Sequence, residues 1–130
     1  MYRLKKTFNI CCAHVLSNED CNKETNKKLF GRCNVFHGHN YRITLYLKQS
    51  KLNKVTGMIE NFTRIKEVFR DRIDNVYDHN VLNSCPGFTH RIPTAENMAY
   101  VFYKRLKTKL KTLYAVEIEE TDGASAIYEN

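Results

Sequence analysis

The sequence predicts an α+β domain of order ββααββ, an antiparallel sheet with two helices packed on one face. Three observations predict it. Residues 2–14, 37–48 and 113–120 alternate apolar and polar side chains at period two, the signature of strands with one buried face. Residues 62–76 and the stretch from Thr94 onward switch to spacings of three and four, the signature of amphipathic helices. The two kinds of element come in runs rather than in strict alternation, which favours an antiparallel sheet with segregated helices.

The first strand places Tyr2, Leu4, Phe8, Ile10, Cys12 and His14 on one face, with Lys6 as the exception, and Arg3, Lys5, Thr7 and Asn9 on the other. Residues 17–32 are polar and read as a long surface loop. The second strand aligns His37, His39, Tyr41, Ile43, Leu45 and Leu47, so both histidines extend an apolar face. A Lys- and Asn-rich loop closes near Gly57. Asn61 is placed to cap a helix whose stripe is Phe62, Ile65, Phe69, Ile73 and Val76. Residues 77–93 form another loop, interrupted by Cys85-Pro86-Gly87. The second helix starts near Thr94 and buries Met98, Val101, Phe102, Leu106 and Leu110. Its lysines and arginines gather toward the C-terminal end, where cations suit the helix dipole. In the third strand Tyr114, Val116 and Ile118 face inward, Glu117 and Glu119 outward, and Glu120 falls on the inward parity. Thr121-Asp122-Gly123 turns the chain into a short fourth strand over 124–129.

Composition narrows the function classes. A chain of 130 residues with 42% hydrophobic and 27% charged residues suits one domain with its own core, residues 1–130. No run approaches the roughly 18 apolar residues of a membrane span. The N-terminus leads into no apolar targeting segment, so the expected location is cytoplasmic. The five cysteines are odd in number and irregularly spaced, and read as reduced thiols. The formal charge of +7 is unaccompanied by any nucleic-acid-binding motif. It fits lysine-rich solvated faces or a polyanionic small substrate.

Three strands therefore each carry a polar group at one end of an apolar face: His14, His37 with His39, and Glu120. Such groups are costly to bury unless they bind something. Three imidazoles suit a zinc site with an open fourth position, while copper and nickel remain compatible with the same residue types. A structural site of Cys33 with the three histidines fits the same count. Cys33 is otherwise a candidate nucleophile or base, activated if a metal lowers its pKa. Asp78-His79 is a candidate proton relay. Glu120 suits the guanidine-like edge of a pterin or purine, or is simply a strand-end carboxylate reaching solvent.

The ordered set His14, Cys33-x-x-x-His37-Gly38-His39-Asn40-Tyr41, Gly57-Met58-Ile59, Asp78-His79-Asn80-x-Leu82-Asn83, Pro93-Thr94-Ala95-Glu96-Asn97 and Glu120-Thr121 resembles the 6-pyruvoyl-tetrahydropterin synthase family. That family includes the 6-carboxy-tetrahydropterin synthases of queuosine biosynthesis. The resemblance runs from about residue 7 to residue 128. It implies the T-fold (tunnelling fold), in which trimers close their sheets into a β-barrel and commonly stack as hexamers, with sites between subunits. It implies Zn2+ on His14, His37 and His39, and 7,8-dihydroneopterin triphosphate as substrate. It implies Cys33, Asp78 and His79 as catalytic residues, and Glu120, Thr94 and Glu96 at the pterin. A non-catalytic pterin- or metal-binding module is the other class. The chain departs from the family pattern at Ile10-Cys11-Cys12-Ala13-His14 and at Asn61-Phe62, where many bacterial members have Asp-Phe. The three residues between Cys33 and His37 resemble the carboxy branch, whereas the animal pyruvoyl branch typically has five.

Overall fold

A computed structural model describes residues 1–130. Four strands, β1 (Tyr2–His14), β2 (His37–Gln49), β3 (Leu113–Thr121) and β4 (Ala124–Glu129), form one antiparallel sheet in the order β1-β2-β3-β4. The helices are α1 (Lys23–Phe30), α2 (Phe62–Phe69), α3 (Asn75–Tyr77) and α4 (Ala95–Lys107). Burial alternates along β1 and β2 as the period-two pattern predicts. Ile10, Cys12 and His14 of β1 and Tyr41, Ile43, Leu45 and Leu47 of β2 turn toward the helices. Lys6 stays on that face by lying across its rim, with its ammonium 5.9 Å from the ring centroids of both Phe8 and Phe62.

The structure differs from the expected one in three places. First, the polar stretch expected to be a loop contains α1, capped by the Asn22 side chain, which accepts the Thr25 N–H at 2.8 Å. It buries only Asn26, so it carries no apolar stripe to read. Second, α2 continues through a π-helical turn (Arg70–Asp74) into α3. The wider turn keeps Phe69, Ile73 and Tyr77, spaced by four, on one buried face, so Tyr77 takes the place expected for Val76. Phe62, expected in the stripe, is 54% exposed. Third, Tyr114 faces outward. A bulge shifts the β2–β3 register between Tyr46 and Leu47, setting Leu113 in the core and Tyr114 beside Tyr46 and Lys48.

The loop after α3 covers the C-terminal half of the β1 edge. Ala13 N–H donates to the Asn80 carbonyl (3.1 Å), and His79 N–H donates to the Cys11 carbonyl (2.6 Å). The Asn83 amide bonds both Val15 backbone groups (2.9 Å each). Elsewhere the outer edges of β1 and β4 pair with no other strand.

Phe69 is 1% exposed and stacks on Phe8 at 3.9 Å. Phe69→Ala is expected to lower the unfolding free energy by about 3–5 kcal/mol in chemical denaturation. Phe62→Ala should cost under about 1 kcal/mol. Equal losses would contradict the helix orientation described.

Candidate metal centre and active site

The β1–β2 register sets His14 opposite His37, and Cys12 opposite His39. This brings the ends of both strands, and all three imidazoles, to one place. The potential ligand atoms of His14, His37 and His39 lie within 4.8 Å of one another. Their ring centroids are 4.6, 5.2 and 4.8 Å apart. Gly38 sits between the two histidines of β2, where a Cβ would meet the Cys12 carbonyl oxygen at 3.2 Å.

Backbone carbonyls fix two of the rings. His14 Nδ1 lies 2.9 Å from the Pro93 oxygen, and His37 Nδ1 lies 2.5 Å from the Val35 oxygen. A carbonyl only accepts, so each Nδ1 carries the hydrogen and each neutral Nε2 presents a lone pair. Those two Nε2 atoms face each other at 3.0 Å. Two lone pairs repel unless a proton or a metal lies between them. Burial depresses the His14 pKa, disfavouring the proton. His39 Nε2 is buried without a hydrogen-bond partner. Burial lowers the His39 pKa too, although Glu120 opposes this. The donor set therefore fits a divalent metal of the zinc type, held by three neutral imidazoles.

Glu120 sits at a second bulge, where the β3–β4 register shifts between Glu119 and Thr121. Its Oε1 is 3.5 Å from His39 Nε2. Glu120 also lines a cleft of about 360 Å³ with Thr94, Glu96, Leu16 and Phe30. Thr94 has a structural task as well, since its hydroxyl accepts the Asn97 N–H at 3.2 Å and caps α4. Glu96 is exposed in the first turn of α4. A larger cleft of about 420 Å³, between residues 17–20 and 88–93, includes none of the three histidines.

Cys33 lies on a 3-10 turn (Gly31–Asn34) between α1 and β2. Its carbonyl accepts the Leu16 N–H at 2.9 Å, and the Asn34 amide donates to the Leu16 carbonyl at 2.9 Å. These bonds tie the turn to the end of β1. Cys33 is partly exposed and is not part of the convergent imidazole group. Asp78 and His79 do form a bonded pair, Nδ1 to Oδ2 at 3.0 Å. Burial would raise the Asp78 carboxyl, but the Cys11 N–H (2.8 Å) and His79 together outweigh it and hold it below its ordinary value. The pair sits on the edge of β1, with the His79 side chain 81% exposed, and it does not join the imidazole group.

Three groups escaped the sequence reading as parts of this site. The Pro93 and Val35 carbonyls leave no side-chain signal. Tyr41 did leave one, the parity it shares with His37 and His39. Its hydroxyl lies 3.3 Å from His14 Nδ1. Burial pushes that hydroxyl far above the usual phenol range, with Glu120, Cys12 and Cys33 adding to the effect.

An antiparallel sheet with helices on one face, with three convergent imidazoles at its strand ends, matches the T-fold class of pterin-synthesising enzymes. The 6-pyruvoyl tetrahydropterin synthase family model matches residues 3–130. The chain is 30% identical to the 6-pyruvoyl tetrahydrobiopterin synthase of Homo sapiens over 131 residues, covering 97% of this chain and 90% of the relative. It is 29% identical to the 6-carboxy-5,6,7,8-tetrahydropterin synthase of Synechocystis sp., covering 98% and 93%. The structure of Caenorhabditis elegans 6-pyruvoyl tetrahydropterin synthase superposes with a TM-score of 0.92 at 28% identity, covering 99% and 95%. The chain belongs to the 6-pyruvoyl tetrahydropterin synthase family.

The depressed histidines make a pH prediction. A histidine whose folded pKa is lowered takes up its proton more readily in the unfolded chain, so acid favours unfolding. The metal-free protein should lose thermal stability steadily from about pH 7.5 to about pH 5.5. An unfolding midpoint that rises over that range would contradict the neutral-imidazole assignment.

Proposed function

We propose that the protein is a zinc-dependent 6-carboxy-5,6,7,8-tetrahydropterin synthase. With one water consumed, it converts 7,8-dihydroneopterin triphosphate to 6-carboxytetrahydropterin, releasing triphosphate and acetaldehyde, in queuosine and 7-deazapurine biosynthesis. The observation that carries the chemistry is the convergence of three imidazoles beside Glu120. Zinc held there supplies Lewis-acid stabilisation of negative charge developing on the substrate side chain, worth several kcal/mol.

The chain's own residues supply positioning and proton transfer. Glu120 accepts hydrogen bonds from the guanidine-like edge of the pterin, and Thr94 and Glu96 line the same cleft. Fixing the ring this way directs the side chain toward the imidazole cluster. Cys33 removes a carbon-bound proton. His79 returns a proton elsewhere on the side chain. Its Nδ1 is engaged by Asp78, which orients the ring and leaves Nε2 for the transfer.

The separation of the Asp78–His79 pair from the imidazole group supports a site completed by a second subunit. The unpaired outer edges of β4 and of the N-terminal half of β1 support closure of several sheets into a trimeric barrel, or a hexamer of two such trimers. No helix is long and apolar enough to cross a membrane, in keeping with a cytoplasmic location.

Product choice rests on the three residues between Cys33 and His37. The second reading is a 6-pyruvoyl tetrahydropterin synthase, which the likeness to the human relative favours. Both share triphosphate elimination. Incubation with 7,8-dihydroneopterin triphosphate should yield acetaldehyde and a carboxylated pterin. A pyruvoyl pterin without acetaldehyde selects the second reading, and pterin binding without triphosphate release contradicts both. Cys33→Ala should lower kcat by about 10²–10⁴-fold without weakening pterin binding.

A further inference from the structure

The helical face carries a basic groove that includes none of the three convergent histidines and not Glu120. It has a volume of about 260 Å³ and lies between the Pro86-Gly87 turn and the outer side of α4, with Arg91, Tyr100, Lys104 and Arg105 along it. Pockets for drug-sized organic ligands run to about 300–1,000 Å³, so this space suits a small anion better.

The cations are arranged rather than scattered. The Arg91 guanidinium lies 4.5 Å from the Tyr100 ring centroid, and the Lys104 ammonium lies 5.9 Å from the same centroid. Arg105 is anchored from behind, its Nε donating to the Arg72 carbonyl at 3.2 Å while its guanidinium lies 5.4 Å from the Tyr77 centroid. None of the three takes part in an ion pair with a carboxylate. His90, next to Arg91, is paired with Glu19 and so is already engaged. Arg91 and Lys104, gathered over one ring, repel each other, and a multivalent anion relieves that repulsion.

The groove wall is firm. Gly87 has φ +93°, and a Cβ there would come within 2.7 Å of a Val101 side-chain carbon, so the turn lies directly on α4. A second concavity, formed by Gly87, Thr89, His90 and Arg91, continues from it, so Arg91 reaches two adjoining hollows. That extension suits a chain of phosphates rather than a single one.

We infer that this groove is a polyphosphate-binding site, separate from the pterin site, that reads a chain of two or three phosphates through Arg91, Lys104 and Arg105. Inorganic triphosphate and the phosphate tail of a nucleotide share this chemistry. The inference stands on the groove alone and is independent of which pterin product forms.

The test uses the zinc-loaded protein at fixed ionic strength. Acylation of lysines by an amine-reactive ester is followed by peptide mass spectrometry during titration with inorganic triphosphate. Lys104 should be protected saturably, while Lys109 and Lys111, outside the groove, should react unchanged. Arg91→Gln should shift the protection midpoint about tenfold or more to higher anion, with turnover unaffected. GTP protecting with a midpoint like that of inorganic triphosphate identifies the phosphate chain as the feature read. Protection by GTP with inorganic triphosphate inert overturns the inference. So does equal protection by sulfate, or an unchanged midpoint in Arg91→Gln.

Discussion

The structure depends on three imidazole rings brought to one point. Two of them are aimed by carbonyls, Pro93 for His14 and Val35 for His37, which fix the hydrogen on Nδ1. The third belongs to His39, whose Nε2 is buried without a hydrogen-bond partner and lies 3.5 Å from a Glu120 carboxylate oxygen. Burial keeps His14 and His39 from protonating easily, so the arrangement is costly in the absence of a cation. A protein optimised for stability alone would place apolar side chains here, continuing the faces that Cys12 and Tyr41 begin.

The rest of the fold meets this constraint by register. The β1–β2 ladder puts His14 across from His37, and a slip of one residue would turn His37 and His39 to the opposite face. The loop after α3 clamps the outer side of β1 through Asn80 and Asn83, close to His14. The Asn97 side chain donates to the Ile92 carbonyl at 2.8 Å, steadying the segment that presents the Pro93 oxygen. Glu120 keeps the inward parity of Val116 and Ile118 and sits where the β3–β4 register shifts, which sets its carboxylate beside His39. The second bulge, at Tyr114, lets Leu113 fill the core.

Much of this was legible because parity is a local property. Alternation placed His14, His37, His39 and Glu120 on inward faces, and these groups do meet. Both long helices were legible from their apolar spacing, with Asn61 and Thr94 as their caps. The failures have physical causes. Helix α1 buries almost nothing, so no period marks it. The π-helical turn and the Tyr114 bulge each change the residue count per repeat, which displaced Val76 and Tyr114 from their expected places. The carbonyls that orient the histidines belong to segments distant in sequence or lacking any side-chain signature. Asp78 and His79 bond to each other, but their place outside the imidazole group was invisible to a one-dimensional pattern.

The central claim is that three histidines, without Cys33, form a metal centre. Its most direct measurement is metal content by elemental mass spectrometry on the folded protein and its variants. The account predicts one zinc per chain, lost when His14, His37 or His39 is replaced by Ala and retained in Cys33→Ala. Zinc lost in Cys33→Ala, or retained when two of the three histidines are replaced, would contradict it.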